Sequence, residues 1–116
     1  MVLKILIVDD NEELLKLYSI FLRRYNVIVA KNGLEALEFY KREKPDIVIM
    51  DIKMPVMDGV EATKKIREID KNAKIIGATA YHDKYVDAML EAGALEVLKK
   101  PFKYRELLDT IQKYIS

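Results

Sequence analysis

The sequence predicts an α/β fold in which one parallel sheet carries helices on both faces. Short apolar runs alternate with amphipathic stretches of helical period along all 116 residues. The runs are apolar almost without interruption, which is typical of strands that are buried on both faces. With 51% hydrophobic residues and a length that suits one domain, residues 1–116 are expected to form a single domain with a packed core.

The first two strand–helix units follow from apolar patterns and their boundaries. Residues 3–8 are an apolar run that stops at a pair of aspartates, which predicts the first strand. Residues 12–24 carry apolar side chains at helical spacing, and Asn11 is a suitable N-cap for that helix. The second unit repeats this pattern, with a short strand at 27–30 and a helix at 33–42.

Three further units complete the pattern. A turn at residues 44–46 leads into a third strand at 47–50, which ends at Asp51, and a loop at 53–59 follows it. The remaining predicted elements are helices at 60–69, 83–92 and 104–114 and strands at 74–79 and 95–98. For five such units in a domain of this size, the favoured arrangement is a flavodoxin-like, doubly wound sheet with strand order 2-1-3-4-5.

Composition excludes several classes of function. Charged residues make up 34% of the chain, but the net charge of +1 argues against a dedicated binder of nucleic acid or anionic membranes. The absence of cysteine excludes disulfides, thiolate catalysis and cysteine-based zinc sites. The first apolar run is too short for a signal peptide or a membrane span, so a cytoplasmic protein is expected.

Three aspartates are expected to meet at one edge of the sheet. In the predicted order the first and third strands are neighbours at the point where strand order reverses, and ligands bind there beyond the carboxyl ends. Asp9 and Asp10 follow the first strand and Asp51 ends the third. Their mutual repulsion would raise their pKa values unless a cation neutralises them, and Mg²⁺ suits such a site. Asp9 and Asp10 alone could equally be caps of the first helix, and Asp51 at the same edge is what favours a metal site.

A hydroxyl and an ammonium group follow along the same edge. The fourth strand ends at Thr79, and the fifth is followed by Lys100 and Pro101. A phosphoryl group on Asp51 would need a cation and Lys100 to neutralise its oxygens and Thr79 to hydrogen-bond one of them. Aspartate can act as the nucleophile that forms an acyl phosphate. Each residue alone is a weak signal, so the hypothesis rests on all five side chains meeting at the same edge.

With these residues in place, the chain resembles the receiver domains of bacterial two-component response regulators along essentially its whole length. The motifs that carry the resemblance are residues 5–11 (ILIVDDN), 50–59 (MDIKMPVMDG), 78–80 (ATA) and 99–102 (KKPF). Together they are highly specific, whereas each alone would be weak. In its finer details the chain is most similar to the single-domain type that serves the sporulation phosphorelay.

The resemblance implies a role for each site residue. The implied roles are phosphoacceptor for Asp51, Mg²⁺ ligands for Asp9, Asp10, Asp51 and the Lys53 carbonyl, switch hydroxyl for Thr79, and phosphoryl partner for Lys100. It also implies a cis peptide bond between Lys100 and Pro101.

The function implied by the resemblance is phosphoryl acceptance from a sensor histidine kinase or a histidine phosphotransfer protein. Such a donor would dock on the first helix and the site loops, and the signal would pass to a downstream protein by contact or by onward phosphotransfer. Because no residue follows Ser116, no DNA-binding output domain is expected, and neither direct nucleic-acid binding nor membrane binding. A protein of this kind assists its own phosphorylation and dephosphorylation and is not a turnover enzyme.

One position departs from the family pattern. Receivers usually carry Tyr or Phe three residues before the site lysine, and this chain has Val97 there. Valine has no ring to rotate behind Thr79, so the signal is expected to travel through loop shifts around residues 81–84. The substitution argues weakly for a degenerate receiver that serves only as a scaffold, and the intact acidic site argues against one.

Two other classes are disfavoured. Aspartyl-phosphate phosphatases typically need an acid two residues after the nucleophile, where this chain has Lys53 after Asp51, and they need a longer chain. A nucleotide or flavin module would need a glycine-rich or Ser/Thr-rich phosphate loop after the first strand, and none is present.

The first helix is more apolar than its place on a sheet requires. Its apolar residues cover well over half of its circumference, and they are Leu14, Leu15, Leu17, Tyr18, Ile20, Phe21 and Leu22. Two explanations are equally good: the surplus docks the helical hairpin of a histidine kinase, or the helix lies deeper under neighbouring loops.

Residues beside the site are expected to set the lifetime of the phosphoryl group. Lys53 and Tyr81 flank the path of an attacking water molecule and are expected to slow hydrolysis by occupying it. His82, the only histidine, is interpreted as an exposed loop residue rather than as a ligand.

Overall fold

The computed structural model describes residues 2–80 and 82–115, and the side chains of residues 82 and 83 fall outside this description. Within these ranges strands alternate with helices in chain order. The strands are β1 (Lys4–Val8), β2 (Asn26–Ala30), β3 (Ile47–Asp51), β4 (Ile75–Thr79) and β5 (Glu96–Lys99). The helices are α1 (Glu12–Phe21), α2 (Gly33–Glu43), α3 (Gly59–Ile69), α4 (His82–Ala92) and α5 (Tyr104–Ile115).

The strands form one parallel sheet in the order β2-β1-β3-β4-β5, which confirms the predicted fold class. The strand order reverses at β1, because β2 lies on one side of β1 and β3 lies on the other. β1 and β3 are hydrogen-bonded neighbours. The connections from these two strands therefore diverge to opposite faces and leave a crevice at their carboxyl ends. Among the described residues, none of the helices contains an apolar stretch of membrane-spanning length.

The register of β1 and β3 aligns their carboxyl ends. Val8, the last residue of β1, pairs with Met50. Asp9 therefore leaves β1 level with Asp51, the last residue of β3. This alignment places carboxylates from two separate parts of the chain at the mouth of the crevice.

The register of β4 and β5 extends the same edge. Asp51 pairs with Ala78, so Thr79 lies one position further along β4. Thr79 pairs in turn with Lys99, and the backbone N–H of Lys100 donates to the Thr79 carbonyl oxygen at 2.9 Å. Strand pairing thus places Thr79 and Lys100 at the same edge of the sheet as Asp51.

Alternate strand residues build an apolar cluster on each face of the sheet. On β1, Leu6 and Val8 join the cluster covered by α2, α3 and α4, whereas Ile5 and Ile7 join the cluster covered by α1 and α5. These four side chains are at most 1% exposed. Burial of a large apolar side chain contributes about 1.5–3 kcal/mol to folding. Coverage of both faces explains why the strands show no polar alternation.

Helix α1 ends at Phe21, earlier than the predicted end at Arg24. The backbone N–H of Arg23 donates to the carbonyl of Ile20 at 3.3 Å, which is the tighter spacing of a turn. Leu22 is fully buried in the cluster between α1 and α5. The prediction was wrong because burying Leu22 and turning the chain into β2 outweigh the helical pattern of the following residues. The other element boundaries differ from prediction by at most one residue.

Candidate functional site

Three aspartate side chains converge at the carboxyl ends of β1 and β3. One carboxylate oxygen from each of Asp9, Asp10 and Asp51 lies within 4.8 Å of the others. Asp9 and Asp51 are buried, and Asp10 is exposed. A cluster of carboxylate oxygens with one side open to water fits a hard divalent cation such as Mg²⁺. The structure therefore brings together the three carboxylates that the sequence singles out.

Asn11 is the N-cap of helix α1. Its side-chain oxygen accepts hydrogen bonds from the backbone N–H groups of Glu13 at 3.0 Å and Leu14 at 3.2 Å. One oxygen of Asp9 accepts the backbone N–H of Asn11 at 2.9 Å, which orients the Asp9 carboxylate beside the helix. The alternative in which Asp9 and Asp10 serve only as caps of this helix is therefore wrong.

Lys100 reaches two of the carboxylates. Its Nζ lies 2.6 Å from Oδ2 of Asp9 and 3.1 Å from Oδ1 of Asp51. The preceding Lys99 is exposed, so alternation along the end of β5 selects Lys100 for the site. The peptide bond between Lys100 and Pro101 is cis, as the resemblance implies.

Burial and crowding make Asp51 a weaker acid than a free aspartate. Burial raises its pKa most and the Asp9 carboxylate raises it further, while Lys100 offsets these effects only in part, so the pKa is about 6. For Lys100, burial lowers the pKa, but the hydrogen bond to Asp9 and the two carboxylate charges outweigh burial and raise it. One ammonium group faces three carboxylates, and a bound cation would relieve the remaining repulsion.

Thr79 completes the set of five predicted side chains at this edge. It is the last residue of β4 and only 1% exposed. Because Asp51 pairs with the residue before it, Thr79 lies one position beyond that pair, at the end of β4 next to β3. A hydroxyl at this position can donate a hydrogen bond to an anionic group carried by Asp51.

A glycine holds the loop after Asp51 against the end of β3. The backbone N–H of Gly59 donates to the Ile52 carbonyl at 2.6 Å, and a Cβ on Gly59 would lie 2.2 Å from the carbonyl oxygen of Asp51. Asp58 caps α3 by accepting the N–H of Glu61 at 2.9 Å. This requirement was not predicted from the sequence, although an aspartate followed by glycine at the start of a helical pattern was an available signal.

The side chain of Lys53 extends from this loop to helix α4. Its Nζ lies 3.5 Å from the hydroxyl oxygen of Tyr85 and 5.5 Å from the centre of the Tyr85 ring. Tyr85 is half-buried and packs against the apolar cluster beneath α4, so Lys53 connects the acceptor loop to the start of that helix. Tyr81 and the side chain of His82 lie outside the described residues, and the roles expected of them stay predictions.

Val97 is half-buried on β5 and packs on the face covered by α4. It pairs with Gly77 of β4, where a Cβ would lie 3.2 Å from Cγ2 of Val97 and 3.0 Å from Cγ of Met89. Aliphatic side chains thus fill the space above Gly77. The aromatic switch residue that receivers usually carry has no counterpart at this position.

Helix α1 keeps part of its apolar surface exposed. Leu17 is 42% exposed and Ile20 is 60% exposed, whereas Leu15 and Tyr18 are buried against the sheet. A groove of about 520 Å³ lies between this helix and the segment that carries Lys100. Deeper burial under neighbouring loops, one of the two explanations for the apolar arc, is therefore wrong for Leu17 and Ile20.

Comparison with known families agrees with this geometry. Residues 5–112 match the model of the response regulator receiver domain family. The match covers most of the chain, and the protein belongs to this family. It is a response regulator receiver of the kind that accepts phosphoryl groups in two-component and phosphorelay signalling, and it is a signalling protein rather than a conventional enzyme.

Individual relatives show which kinds of receiver the chain is similar to. The chain is 40% identical over 115 residues to sporulation initiation phosphotransferase F of Bacillus subtilis (strain 168), covering 97% of this chain and 93% of that protein. It is 38% identical over 116 residues to chemotaxis protein CheY of Halobacterium salinarum, covering 97% of each chain. The receiver domain of sensor histidine kinase PA1611 from Pseudomonas aeruginosa PAO1, solved with a magnesium ion in its active site cleft, is 32% identical with a TM-score of 0.93, covering 99% of this chain and 98% of that chain. The predicted likeness to the sporulation type is confirmed, and a chemotaxis protein is nearly as similar.

Proposed function

We propose that Asp51 accepts a phosphoryl group from a phosphohistidine of a sensor histidine kinase or a histidine phosphotransfer protein. The supporting observation is the arrangement around Asp51, where two further carboxylates can share a cation and the Lys100 ammonium lies 3.1 Å from Oδ1. A phosphoryl group adds negative charge to a site that is already acidic. Groups that neutralise this charge as it develops are the main requirement of phosphoryl transfer.

The proposed transfer exchanges one bond to phosphorus for another. A carboxylate oxygen of Asp51 attacks phosphorus while the P–N bond to the donor imidazole breaks. The electron pair of that bond leaves with the imidazole nitrogen, which is released as a neutral ring when its other nitrogen carries a proton. The product is an acyl phosphate on Asp51. Only the ionised form of Asp51 can attack, and Lys100 beside it favours that form.

In this proposal Asp9, Asp10, Asp51 and the backbone carbonyl of Lys53 hold Mg²⁺. The carboxylates suit the ion through their oxygen donors, their mutual spacing within 4.8 Å and their excess negative charge. When bound, the ion supplies positive charge that neutralises phosphoryl oxygens. The chain itself contributes the position of each carboxylate, which follows from the aligned ends of β1 and β3.

Thr79 and Lys100 bind the remaining phosphoryl oxygens. The Thr79 hydroxyl donates a hydrogen bond to one of them, and the Lys100 ammonium moves its contact from Oδ1 of Asp51 to another. Asp9, 2.6 Å from Lys100 Nζ, keeps the ammonium group in place during this exchange. In this way the chain assists its own phosphorylation and dephosphorylation without turning over a substrate.

The phosphodonor docks on helix α1 and the loops at the site. The exposed Leu17 and the groove that continues from it to Lys100 support this position. The signal then leaves by contact with a downstream protein or by onward phosphotransfer. A cytoplasmic location belongs to this proposal, because histidine kinases form phosphohistidine from ATP.

Beryllofluoride, which mimics a phosphoryl group, tests the site without a kinase. We expect the wild-type protein to give a bound ¹⁹F NMR signal only when Mg²⁺ is present. Asp51→Asn and EDTA-treated protein should give none, whereas Asp87→Asn, which changes an exposed aspartate on α4, should behave like the wild type. A folded wild-type protein without a bound signal would contradict the proposal and favour a receiver that serves only as a scaffold.

A further inference from the structure

A stacked pair of aromatic rings joins helix α1 to the segment that carries Lys100. The rings of Tyr18 on α1 and Phe102 have centroids 5.4 Å apart and planes inclined by 13°. Tyr18 is only 6% exposed, and Phe102 is half-buried and packs against the same apolar cluster. Aromatic rings in a stacked arrangement attract each other beyond the burial of their surfaces. The stack therefore links the helix to the residues that follow β5.

The backbone just after Lys100 depends on packing for its position. The N–H of Lys100 donates to the Thr79 carbonyl oxygen, which holds this residue at the end of β5. Pro101 has no N–H to donate. In the described part of the chain, neither Pro101 nor Phe102 takes part in a hydrogen bond between backbone groups. Packing of the Phe102 ring is therefore what restrains the segment between β5 and α5.

The ammonium group of Lys100 must be placed accurately to reach both carboxylates. Its Nζ lies 2.6 Å from Oδ2 of Asp9 and 3.1 Å from Oδ1 of Asp51. A lysine side chain is long and flexible, and holding it in one conformation costs entropy. A displacement of about 1 Å in the groups that position a reaction can slow it by about a hundredfold. A restraint on the backbone next to Lys100 therefore bears directly on the proposed transfer.

Helix α1 positions both partners of the contact between Lys100 and Asp9. At the start of the helix, the backbone N–H of Asn11 donates to the Asp9 carboxylate at 2.9 Å. Tyr18 lies about two turns further along the same helix, and it lines one cavity together with Lys100 and Phe102. One rigid element thus sets the position of Asp9 relative to the segment that carries the ammonium group.

The charges of the acceptor site reach Tyr18. Burial raises the pKa of its hydroxyl most, Lys100 lowers this pKa, and Asp9 and Asp51 raise it. Because such effects weaken with distance, the Tyr18 side chain lies near the site. Among the described residues, the Lys100 ammonium donates to the two carboxylates and not to the Tyr18 hydroxyl. The ring of Tyr18, and not its hydroxyl, is therefore the part that connects it to Lys100.

We propose that Tyr18 is a positioning residue for phosphoryl transfer: its ring, stacked on Phe102, holds the Lys100 ammonium group at the acceptor carboxylate. This inference rests on the proposed function, in which Lys100 neutralises a phosphoryl oxygen. Tyr18 itself touches no reacting atom. Loss of its ring releases Phe102 and lets the ammonium group move away from Asp51, so part of the charge neutralisation is lost. Loss of the hydroxyl alone has no such effect.

Labelling by acetyl phosphate in the presence of Mg²⁺ tests this proposal without a protein donor. Tyr18→Leu removes the ring and keeps an apolar side chain, whereas Tyr18→Phe keeps the ring and removes the hydroxyl. The matched control is Tyr40→Leu. Tyr40 is buried to the same degree, at 5% exposed, but it belongs to the cluster on the opposite face of the sheet. Circular dichroism establishes that each variant is folded at the temperature of the assay.

We expect labelling of Tyr18→Leu to be slower by about fivefold or more, and labelling of Tyr18→Phe and Tyr40→Leu to stay within about twofold of the wild type. Phe102→Leu removes the other ring of the stack and should lose a similar factor. This variant replaces Tyr18→Leu in the test if Tyr18→Leu does not fold. Beryllofluoride should also bind Tyr18→Leu more weakly than it binds Tyr18→Phe.

A double variant separates positioning from general packing. If Tyr18 acts through Lys100, adding Tyr18→Leu to Lys100→Ala should slow labelling by no more than about twofold, because the group that Tyr18 positions is already absent. A residue that contributes only to packing would instead produce the same factor with and without Lys100.

Several results would overturn the proposal. Labelling of Tyr18→Leu and Phe102→Leu at the wild-type rate would mean that the stack does not position Lys100. Equal losses in Tyr18→Leu and Tyr40→Leu would assign the effect to lower stability, and an equal loss in Tyr18→Phe would assign it to the hydroxyl. Factors that multiply in the double variant would exclude action through Lys100. A folded wild-type protein that acetyl phosphate does not label would instead reject the proposed function itself.

Discussion

At the scale of single residues, Asp51 meets two opposing requirements. It must be shielded enough for a phosphoryl group to persist, and it must be ionised to act as a nucleophile. Burial and the Asp9 carboxylate raise its pKa to about 6, and Lys100 offsets this only in part. Without a cation, the folded protein at neutral pH therefore contains a carboxylate that is less stable ionised than it is in the unfolded chain.

Replacing Asp51 with asparagine should therefore stabilise the metal-free protein at neutral pH. The folded-state pKa of about 6 lies above the usual 3.8, so ionisation destabilises the fold only above about pH 4 and does so fully above about pH 6. In EDTA, we expect Asp51→Asn to melt several degrees above the wild type at pH 7.5 and to match it at pH 4. Circular dichroism melts at the two pH values measure this. The same difference at both pH values, or lower melting of the variant at pH 7.5, would contradict the account.

A second residue-scale prediction concerns Lys53 and the lifetime of the acyl phosphate. The Lys53 side chain spans from the acceptor loop to Tyr85 on α4. We expect it to cover one approach of water to Asp51. Because asparagine is shorter than lysine, we expect Lys53→Asn to open this approach to water. Hydrolysis of the acyl phosphate should then accelerate by about threefold or more. Decay of ³²P-labelled protein gives the rate, with the exposed Lys64→Asn as control. Unchanged decay in both Lys53→Asn and Tyr81→Ala would show that neither residue limits access of water.

The sequence was enough to predict which residues meet, because strand pairing decides it. Asp9, Asp51 and Lys100 are far apart in the chain, but each follows or ends a strand of one parallel sheet. Strand pairing does not predict which side chains contact each other. The 2.6 Å contact between Lys100 and Asp9 and the reach of Lys53 to Tyr85 depend on rotamers and local burial, which strand patterns do not encode.

At the scale of elements, the loop between β3 and α3 depends on close packing at Gly59. A Cβ at this position would lie 2.2 Å from the Asp51 carbonyl oxygen, so Gly59→Ala must displace the end of β3. We expect a loss of about 1–3 kcal/mol in unfolding free energy and slower labelling by acetyl phosphate. Gly77→Ala is the matched control, because its Cβ would meet only side-chain atoms of Met89 and Val97 at 3.0 Å and 3.2 Å.

Chemical denaturation and labelling kinetics of the two alanine variants decide this prediction. A Gly59→Ala protein that is as stable and as quickly labelled as Gly77→Ala would show that the loop has room to move. The prediction would then fail.

Helix α1 provides another prediction at this scale. Leu17 is 42% exposed beside the groove, and Leu34 on α2 is exposed to the same extent away from it. Because Leu17 and Leu34 are both exposed, replacing either with alanine should change the free energy of unfolding by only about 0.5 kcal/mol or less. Transfer from a phosphohistidine donor should fall about fivefold or more for Leu14→Ala and Leu17→Ala and stay unchanged for Leu34→Ala. Equal transfer rates in all of these variants would remove the apolar face of α1 from the docking surface.

The ends of elements were less predictable than the elements themselves. Apolar periodicity continues past Phe21, and it predicted a helix to Arg24. The chain turns there because Leu22 is buried and the residues that follow must begin β2, and both are effects of the whole fold. A local pattern carries no information about such distant constraints.

At the scale of the whole molecule, the strand order produces the site. Placing β1 beside β3 brings the segments after these strands to one crevice, and β4 and β5 then add Thr79 and Lys100 in turn. The alternation of apolar and amphipathic segments was enough to predict this order, since few arrangements bury five apolar strands. That residues 1–116 form one receiver domain stays a prediction. Because position 97 carries valine and not an aromatic residue, the phosphorylated protein must transmit its signal through a conformational change elsewhere in the domain.

Intact mass is the most direct measurement of whether Asp51 accepts a phosphoryl group in a metal-dependent reaction. The protein is incubated with acetyl phosphate and Mg²⁺, beside an EDTA sample and the Asp51→Asn variant. We expect one added phosphoryl group, about 80 Da, on the wild type with Mg²⁺, and none in either control. An adduct that persists in Asp51→Asn or in EDTA would show that Asp51 and the metal are not required. A folded wild-type protein that takes up neither a phosphoryl group nor beryllofluoride would show that Asp51 is not a phosphoacceptor.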